Sequence, residues 1–231
     1  MNPDLINSLI QFAPYYLVFL FALSVHEAAH AWMSAQCGDL YATHQGRLTL
    51  NPASHIDPIG TVLIPLMPIL FSASIPFIGW ARPVPVIEGN LRRARDFVWI
   101  ALAGPASNLI LALWGIVTLK IIFIFLSPTW PAIGYPIQVF GKIYEPDLLI
   151  YFIQINLFLA VFNMIPVPPL DGSRLFYHVF VSGKPSMQPV WNAMEQYGFM
   201  VLLILVVTGM FGRIIGPFIG WMGSQVINLV V

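Results

Sequence analysis

Apolar residues in this chain come in long blocks rather than in the narrow stripes of a water-soluble protein. The first block, residues 12–36, is long enough to cross roughly 30 Å of hydrocarbon as a helix. A polar stretch follows from Cys37 to Pro58. Within it Gln45-Gly46-Arg47-Leu48-Thr49-Leu50 alternates polar and apolar positions, the period of a short strand. Residues 59–81 are apolar but broken by Pro65, Pro68, Pro76 and Gly79, which suits two half-helices turning near Ser72-Ala73-Ser74. Beyond Arg82, Arg92, Arg93 and Arg95, a second long helix is expected over 97–126, then a loop with several prolines over 127–147. A third span runs from Leu148 to about Pro166, followed by a polar loop with Arg174 and Lys184. The last apolar region extends from Gly198 to the end, interrupted near Arg213 and Pro217. The pattern predicts an all-α polytopic membrane protein with about four to six transmembrane or re-entrant helices and one short β segment. It reads as a single domain over 1–231, with a core at about 12–175 and C-terminal helices at about 190–231.

Composition strengthens the membrane assignment. The chain is 58% hydrophobic and only 9% charged, with a mean hydropathy of +0.80, where soluble domains carry about 25% charged residues. Net charge is zero, so the basic footprint of a nucleic-acid binder is missing. The single Cys37 excludes an internal disulfide and reads as a small buried apolar residue. No cleavable leader is expected, because the first eleven residues lack a positive n-region. Arg47, Arg82, Arg92, Arg93, Arg95, Arg174 and Lys184 share the cytoplasmic side if the first helix runs outside to inside, leaving Lys120, Lys142 and Arg213 near the other face. That scheme needs residues 59–81 to enter and leave on one side, which is tolerated only where the backbone is buried in protein or lines a wet cavity. The arginines at 92–95 then anchor the topology against anionic lipid.

The chemistry concentrates in Ser24-Val25-His26-Glu27-Ala28-Ala29-His30-Ala31-Trp32-Met33-Ser34. On a helix, His26 and His30 lie one turn apart on one face, and both imidazoles can reach one zinc ion at about 2.0–2.1 Å. Glu27 is placed to receive a proton from a metal-bound water. Three ionisable groups within five residues at bilayer depth, each costing roughly 2.5–3.5 kcal/mol, point to a site; the bland alternative is a polar cluster gluing helices together. A catalytic zinc usually takes three protein ligands. Asp171 is the best third candidate, because it closes an apolar span and is reached through Pro166, Pro168 and Pro169, which regular helix does not accommodate; an ordinary helix-end turn is the alternative. Asn163 and Asn108 are amides in apolar spans, able to donate to a developing oxyanion or to pair between helices. His55, and less so His44, can stand near the metal as reserve ligand, gate or donor, against the commoner role of a lone loop histidine. His178, in an aromatic-rich stretch, reads as structural. Gly212, Gly216 and Gly220 favour close helix packing, inside the chain or between chains as a homo-oligomer.

His26-Glu27-Ala28-Ala29-His30, Ala103-Gly104-Pro105-Ala106-Ser107-Asn108, and Asn163-x-x-Pro166 running into Leu170-Asp171-Gly172 together resemble the site-2 protease family of intramembrane zinc metalloproteases. The match covers residues 20–175 in order and is similar to the compact prokaryotic form without a PDZ domain. Residues 51–58 and 79–86 also look like motifs of that branch. The resemblance implies one zinc per chain held by His26, His30 and Asp171, with Glu27 as general base. It implies hydrolysis of a peptide bond in or beside a transmembrane helix, in an inner membrane with the site near the cytoplasmic face. A helical substrate has to unwind first, and an edge strand at 45–50 is expected to receive it. Two other classes stay open: a non-catalytic relative that binds membrane partners, and a small transporter, whose repeated halves are not found.

Overall fold

The computed structural model describes residues 3–70, 79–126, 137–139, 142–144 and 147–230. Its described residues form eight α-helices: α1 (Pro3–Gln36), α2 (Tyr41–His44), α3 (Ile64–Leu70), α4 (Asp96–Leu126), α5 (Asp147–Asn163), α6 (Asp171–Phe176), α7 (Gln188–Val207) and α8 (Met210–Val230). The helical character predicted from the apolar blocks is present. Two of these helices are long and apolar enough to cross a membrane, over Ile6–Gln36 and Asp96–Phe125, and within each an apolar stretch of 18 residues is only 22% buried inside the protein. A core helix of a soluble protein is mostly buried. Here α4 shows Leu109, Ile110, Leu113, Trp114, Val117 and Ile121 outward, a surface that water does not tolerate and hydrocarbon does.

Helices α1, α4 and α5 pack against one another and form the frame. Phe19, Ala22 and Leu23 of α1 meet Ile155 and Leu159 of α5 in one buried cluster, and Leu119 of α4 meets Ile153 of α5 in another. The approach is close because α4 is glycine-thinned where it touches its partners. A Cβ at Gly115 would stand 2.7 Å from Ile153 Cγ1.

Pro65 and Pro68, expected to break the stretch after Pro58, lie within the short helix α3 instead of interrupting it. A π-turn over Pro58–Leu63 leads into α3, and the chain then comes back beside its own start. Trp80 N–H donates to Gly60 O (3.1 Å), Thr61 Oγ1 donates to Trp80 O (2.7 Å) and Arg82 N–H donates to His55 O (2.8 Å). Entry and exit are therefore adjacent. A side chain at Gly60 would land on the Trp80 indole. The expected turn at Ser72-Ala73-Ser74 lies outside the described residues.

Two further expectations need correction. Residues 45–50 are not a strand but a turn followed by bends. The alternation is real, yet it faces the other way: Arg47 is buried and donates to Ser54 O, Thr49 O accepts from the His55 ring (2.9 Å), while Leu48 and Leu50 are exposed. Polar positions serve a polar interior, and no second strand lies alongside among the described residues. Antiparallel strands pair instead at Ile137–Val139 and Lys142–Tyr144, where the sequence reads only as loop. The C-terminal break also shifts. It falls at Gly209, whose φ of +71° ends α7 as glycine commonly does, and Arg213 and Pro217 lie inside α8. A Cβ at Gly212, Gly216 or Gly220 meets nothing within 4 Å, so close packing inside the chain is not their use among the described residues, and nothing supports a contact between chains.

Candidate metal centre

Helix α1 carries His26 and His30 on one face, 3% and 7% exposed. Asp171 arrives from 145 residues away, at the first position of α6. The chain leaves α5 at Asn163, passes through the proline-rich turns and starts α6 close beside its own approach. A Cβ at Gly172 would collide with the carbonyls of Met164 and Ile165, so glycine is required for that return. The three donor atoms form a near-equilateral triangle: His26 Nε2 to His30 Nε2 3.0 Å, His26 Nε2 to Asp171 Oδ2 3.1 Å, His30 Nε2 to Asp171 Oδ2 3.2 Å. Three ligands of a tetrahedral ion with bonds near 2.0–2.1 Å lie about 3.3 Å apart. The triangle has the right size.

Its protonation follows from the neighbours. His30 Nδ1 lies 2.7 Å from Ile100 O, and a backbone carbonyl only accepts, so Nδ1 carries the hydrogen. His26 Nδ1 lies 2.6 Å from Asn108 Oδ1. The orientation of that amide is fixed in turn. Asn108 Nδ2 donates to Ala22 O (3.3 Å) and to Asn156 Oδ1 (2.8 Å), and Asn156 Nδ2 donates to Phe152 O (2.8 Å). Both Asn side chains are 0% exposed. With both Nδ1 atoms engaged as donors, the Nε2 atoms are the ones turned toward each other and toward the Asp171 carboxylate, free to serve as metal ligands. Two imidazole nitrogens and one carboxylate oxygen converging in this way suit a single metal cation. The space for one is provided by α4: a Cβ at Gly104 would lie 2.5 Å from His26 Nε2 and against His30 Nε2. The donor set fits zinc.

Comparison with known proteins agrees with this geometry. The profile of Peptidase family M50 matches residues 124–205, a span that holds Asp171 but neither histidine. The protein named "Putative zinc metalloprotease YwhC" of Bacillus subtilis is 34% identical over 218 residues, 94% of this chain and 90% of its own. This chain belongs to peptidase family M50. A second relative, named "Putative zinc metalloprotease Rip2", from Mycolicibacterium smegmatis, is 27% identical over 204 residues, 88% of this chain and 70% of its own. No solved structure matches. As an M50 member the chain is a zinc metalloprotease of the site-2, intramembrane type, and its substrates are proteins.

Within this M50 chain the other residues named from sequence fall in different places. Glu27 is 8% exposed, next to the triangle, and its Oε2 accepts a hydrogen bond from Val84 N–H (3.0 Å). Asn108 supports His26 rather than facing an open cavity. Asn163 Nδ2 is turned back onto Leu159 O (2.9 Å) in its own helix. His55 is 2% exposed, outside the metal group; its Nε2–H serves Thr49 O and its Nδ1 has no partner among the described residues. His178 stacks near Phe97. Arg47 lies close enough to Glu27 for their charges to interact; burial, then neighbouring Arg82, lower its pKa, and Glu27 pulls it back up. Sequence reasoning missed Asn156, Gly104 and Val84. Asn156 carried a visible signal as an amide in an apolar helix, while Gly104 and Val84 stood inside stretches that resemble family motifs without a role of their own.

Asn108→Ala is expected to weaken zinc binding about ten- to a hundred-fold while leaving the three ligands in place. Titration with a competing chelator measures it; unchanged affinity would show that His26 needs no orienting partner.

Proposed function

We propose that this chain cleaves a peptide bond in or beside a transmembrane helix of a membrane-protein substrate. His26, His30 and Asp171 hold one zinc per chain, and Glu27 is the general base. The observation that carries this is the convergence of three ligand atoms beneath Gly104, with a carboxylate one residue from the first ligand. Zinc supplies Lewis acidity, polarising a carbonyl oxygen and easing deprotonation of water. Glu27 takes that proton on the carboxylate oxygen that Val84 does not occupy, and passes it to the leaving amine nitrogen. The buried setting of His26, His30 and Glu27 strengthens each electrostatic contact by keeping bulk water out.

An unwound substrate segment has a place to lie. An apolar groove of about 370 Å³ runs along α1 between Ala28, Ala29 and Trp32 on one side and Leu48 and Leu50 on the other. On α1 its lining residues, Val25, Ala28, Ala29 and Trp32, share one face of the helix, turned away from the face that carries His26 and His30. Because residues 45–50 form no strand, the segment is received by this groove rather than by addition to a sheet edge. Asn163, and His55 Nδ1, which has no partner among the described residues, are side chains available to meet substrate or water.

The site faces the cytoplasm. Arg92 N–H donates to Cys37 O at the end of α1 (3.0 Å), Arg174 lies over the Phe97 ring at the start of α4 (5.6 Å), and Arg47 and Arg82 share the segment paired with His55. These cations gather at one end of the bundle, as the positive-inside rule asks of a cytoplasmic end. His30 is six residues from the last residue of α1, about 9 Å into the membrane from that end. The described ends of the 59–81 stretch lie side by side, Trp80 N–H on Gly60 O, which supports entry and return at the same end, and 1–231 works as one domain.

Zinc per chain in detergent-purified protein tests the ligand set. About one zinc is expected for the native sequence, and a sharp loss for Asp171→Ala. Zinc that persists unchanged without Asp171 would remove it from the set.

A further inference from the structure

Asp39 stands just past the end of α1 and is 0% exposed. A carboxylate taken out of water needs its lone pairs occupied, and here all four donors are neutral. Oδ1 accepts from Asn90 Nδ2 (2.9 Å) and Tyr41 N–H (3.1 Å); Oδ2 accepts from Ile87 N–H (2.8 Å) and Ser34 Oγ (3.3 Å). Burial pushes its pKa up, but the bonds from Asn90, Ile87, Tyr41 and Ser34 outweigh this and hold it below the ordinary carboxylate range.

Two of those donors, Ile87 and Asn90, belong to the stretch that follows residues 59–81. Residues 79–87 have no regular structure of their own, and Pro83 and Pro85 have no N–H to give. The stretch is a strap held at discrete points: Trp80 N–H on Gly60 O, Arg82 N–H on His55 O, and Ile87 N–H on Asp39. Between the last two points, Val84 N–H reaches Glu27 Oε2. The strap therefore meets α1 at one carboxylate and is anchored just beyond its end by the other.

We propose that Asp39 is a positioning residue for peptide hydrolysis: by gripping Ile87 and Asn90 it fixes the strap so that Val84 N–H holds the Glu27 carboxylate in one orientation beside the metal triangle. This rests on Glu27 being the proton acceptor. A free glutamate side chain samples several rotamers, and a misplacement of about 1 Å at a reacting group can cost about a hundred-fold in rate. One N–H on one oxygen removes that freedom and leaves the second oxygen for the proton.

The test compares Asp39→Asn with the native chain in detergent. It measures zinc per chain, amide exchange over 82–90, and kcat and KM on a single-span reporter helix that the native chain cuts. Asparagine keeps the shape but puts a donor against either Ile87 N–H or the Tyr41 and Asn90 donors. Zinc per chain is expected to hold, exchange at Val84 and Ile87 to quicken, and kcat to fall about ten- to a hundred-fold with KM within about two-fold. A native kcat per zinc-loaded chain, with only folded yield reduced, overturns the proposal, as does unchanged exchange in the strap or loss of zinc. If Asp39→Asn does not fold, Asn90→Ala removes a single donor from an exposed residue and is expected to give the same split at about three-fold; a native kcat there overturns it equally. Glu27→Gln is run alongside. Should it keep a native kcat, the assignment of Glu27 has failed and the proposal with it, a result told apart from failure at Asp39 because the strap would still loosen in Asp39→Asn.

Discussion

Gly104→Ala is expected to strip the zinc from a protein that still folds. Helix α4 crosses α1 with the Gly104 α-carbon directly over the two ligand nitrogens, and an added methyl would lie 2.5 Å from His26 Nε2 and against His30 Nε2. The imidazoles have little room to retreat, since Asn108 and Ile100 O hold them by their Nδ1 hydrogens at 2.6 and 2.7 Å. The methyl thus competes with the ion for one space. Overpacking costs about 1–3 kcal/mol, but alanine is worth about 1 kcal/mol more than glycine inside a helix, so the net penalty on folding is modest. Zinc per chain should drop from about one to background, with thermal unfolding by circular dichroism shifted only a few degrees. Gly89→Ala is the control, since a Cβ there meets nothing within 4 Å. Zinc near one per chain in Gly104→Ala would mean that α4 does not cap the site.

That glycine shows where sequence reading stops. His26, Glu27 and His30 were legible because helical spacing alone puts two imidazoles on one face. Asp171 was legible because prolines before it deny a regular helix. Both signals are local. Gly104 is different, because its need for a bare α-carbon exists only once α4 lies across α1. Val84 is similar: it donates to Glu27 through its backbone, which any residue but proline offers, so side-chain chemistry could not single it out.

Asn108 and Asn156 fall between these cases. An amide in an apolar helix is a visible anomaly, and Asn108 was noted for it, but the partner that decides its role sits on another helix. Its place on His26 Nδ1 makes it an orienting group. The stretch 45–50 was misjudged for a physical reason as well. Period-two alternation says that two faces differ, and the usual assumption buries the apolar one. Beside a polar site at the end of a membrane bundle, Arg47 and the Thr49 carbonyl turn inward and the leucines outward.

Glu27→Gln should separate chemistry from metal binding. Glutamine has nearly the same shape, and its carbonyl oxygen can still accept from Val84 N–H, so neither α1 nor the strap loses a partner. What it lacks is a lone pair basic enough to take a proton. Removal of a positioned general base costs about a hundred- to ten-thousand-fold in rate. The expected result is therefore zinc per chain at the native level, unchanged protection of the 82–90 amides, and cleavage of a single-span reporter helix reduced by that factor. Two departures carry different lessons. Zinc lost together with activity would make Glu27 part of the metal site, contrary to its contact with the strap. Activity retained with zinc bound would move the proton acceptor elsewhere, and His55, whose buried Nδ1 has no partner among the described residues, is the next group to substitute. If the expected result holds, Glu27→Gln becomes a tool. A chain that keeps its metal and its groove but does not cut should hold a membrane-protein substrate long enough for cross-linking to identify it, and a substrate captured this way should be cleaved by the native chain in the same detergent.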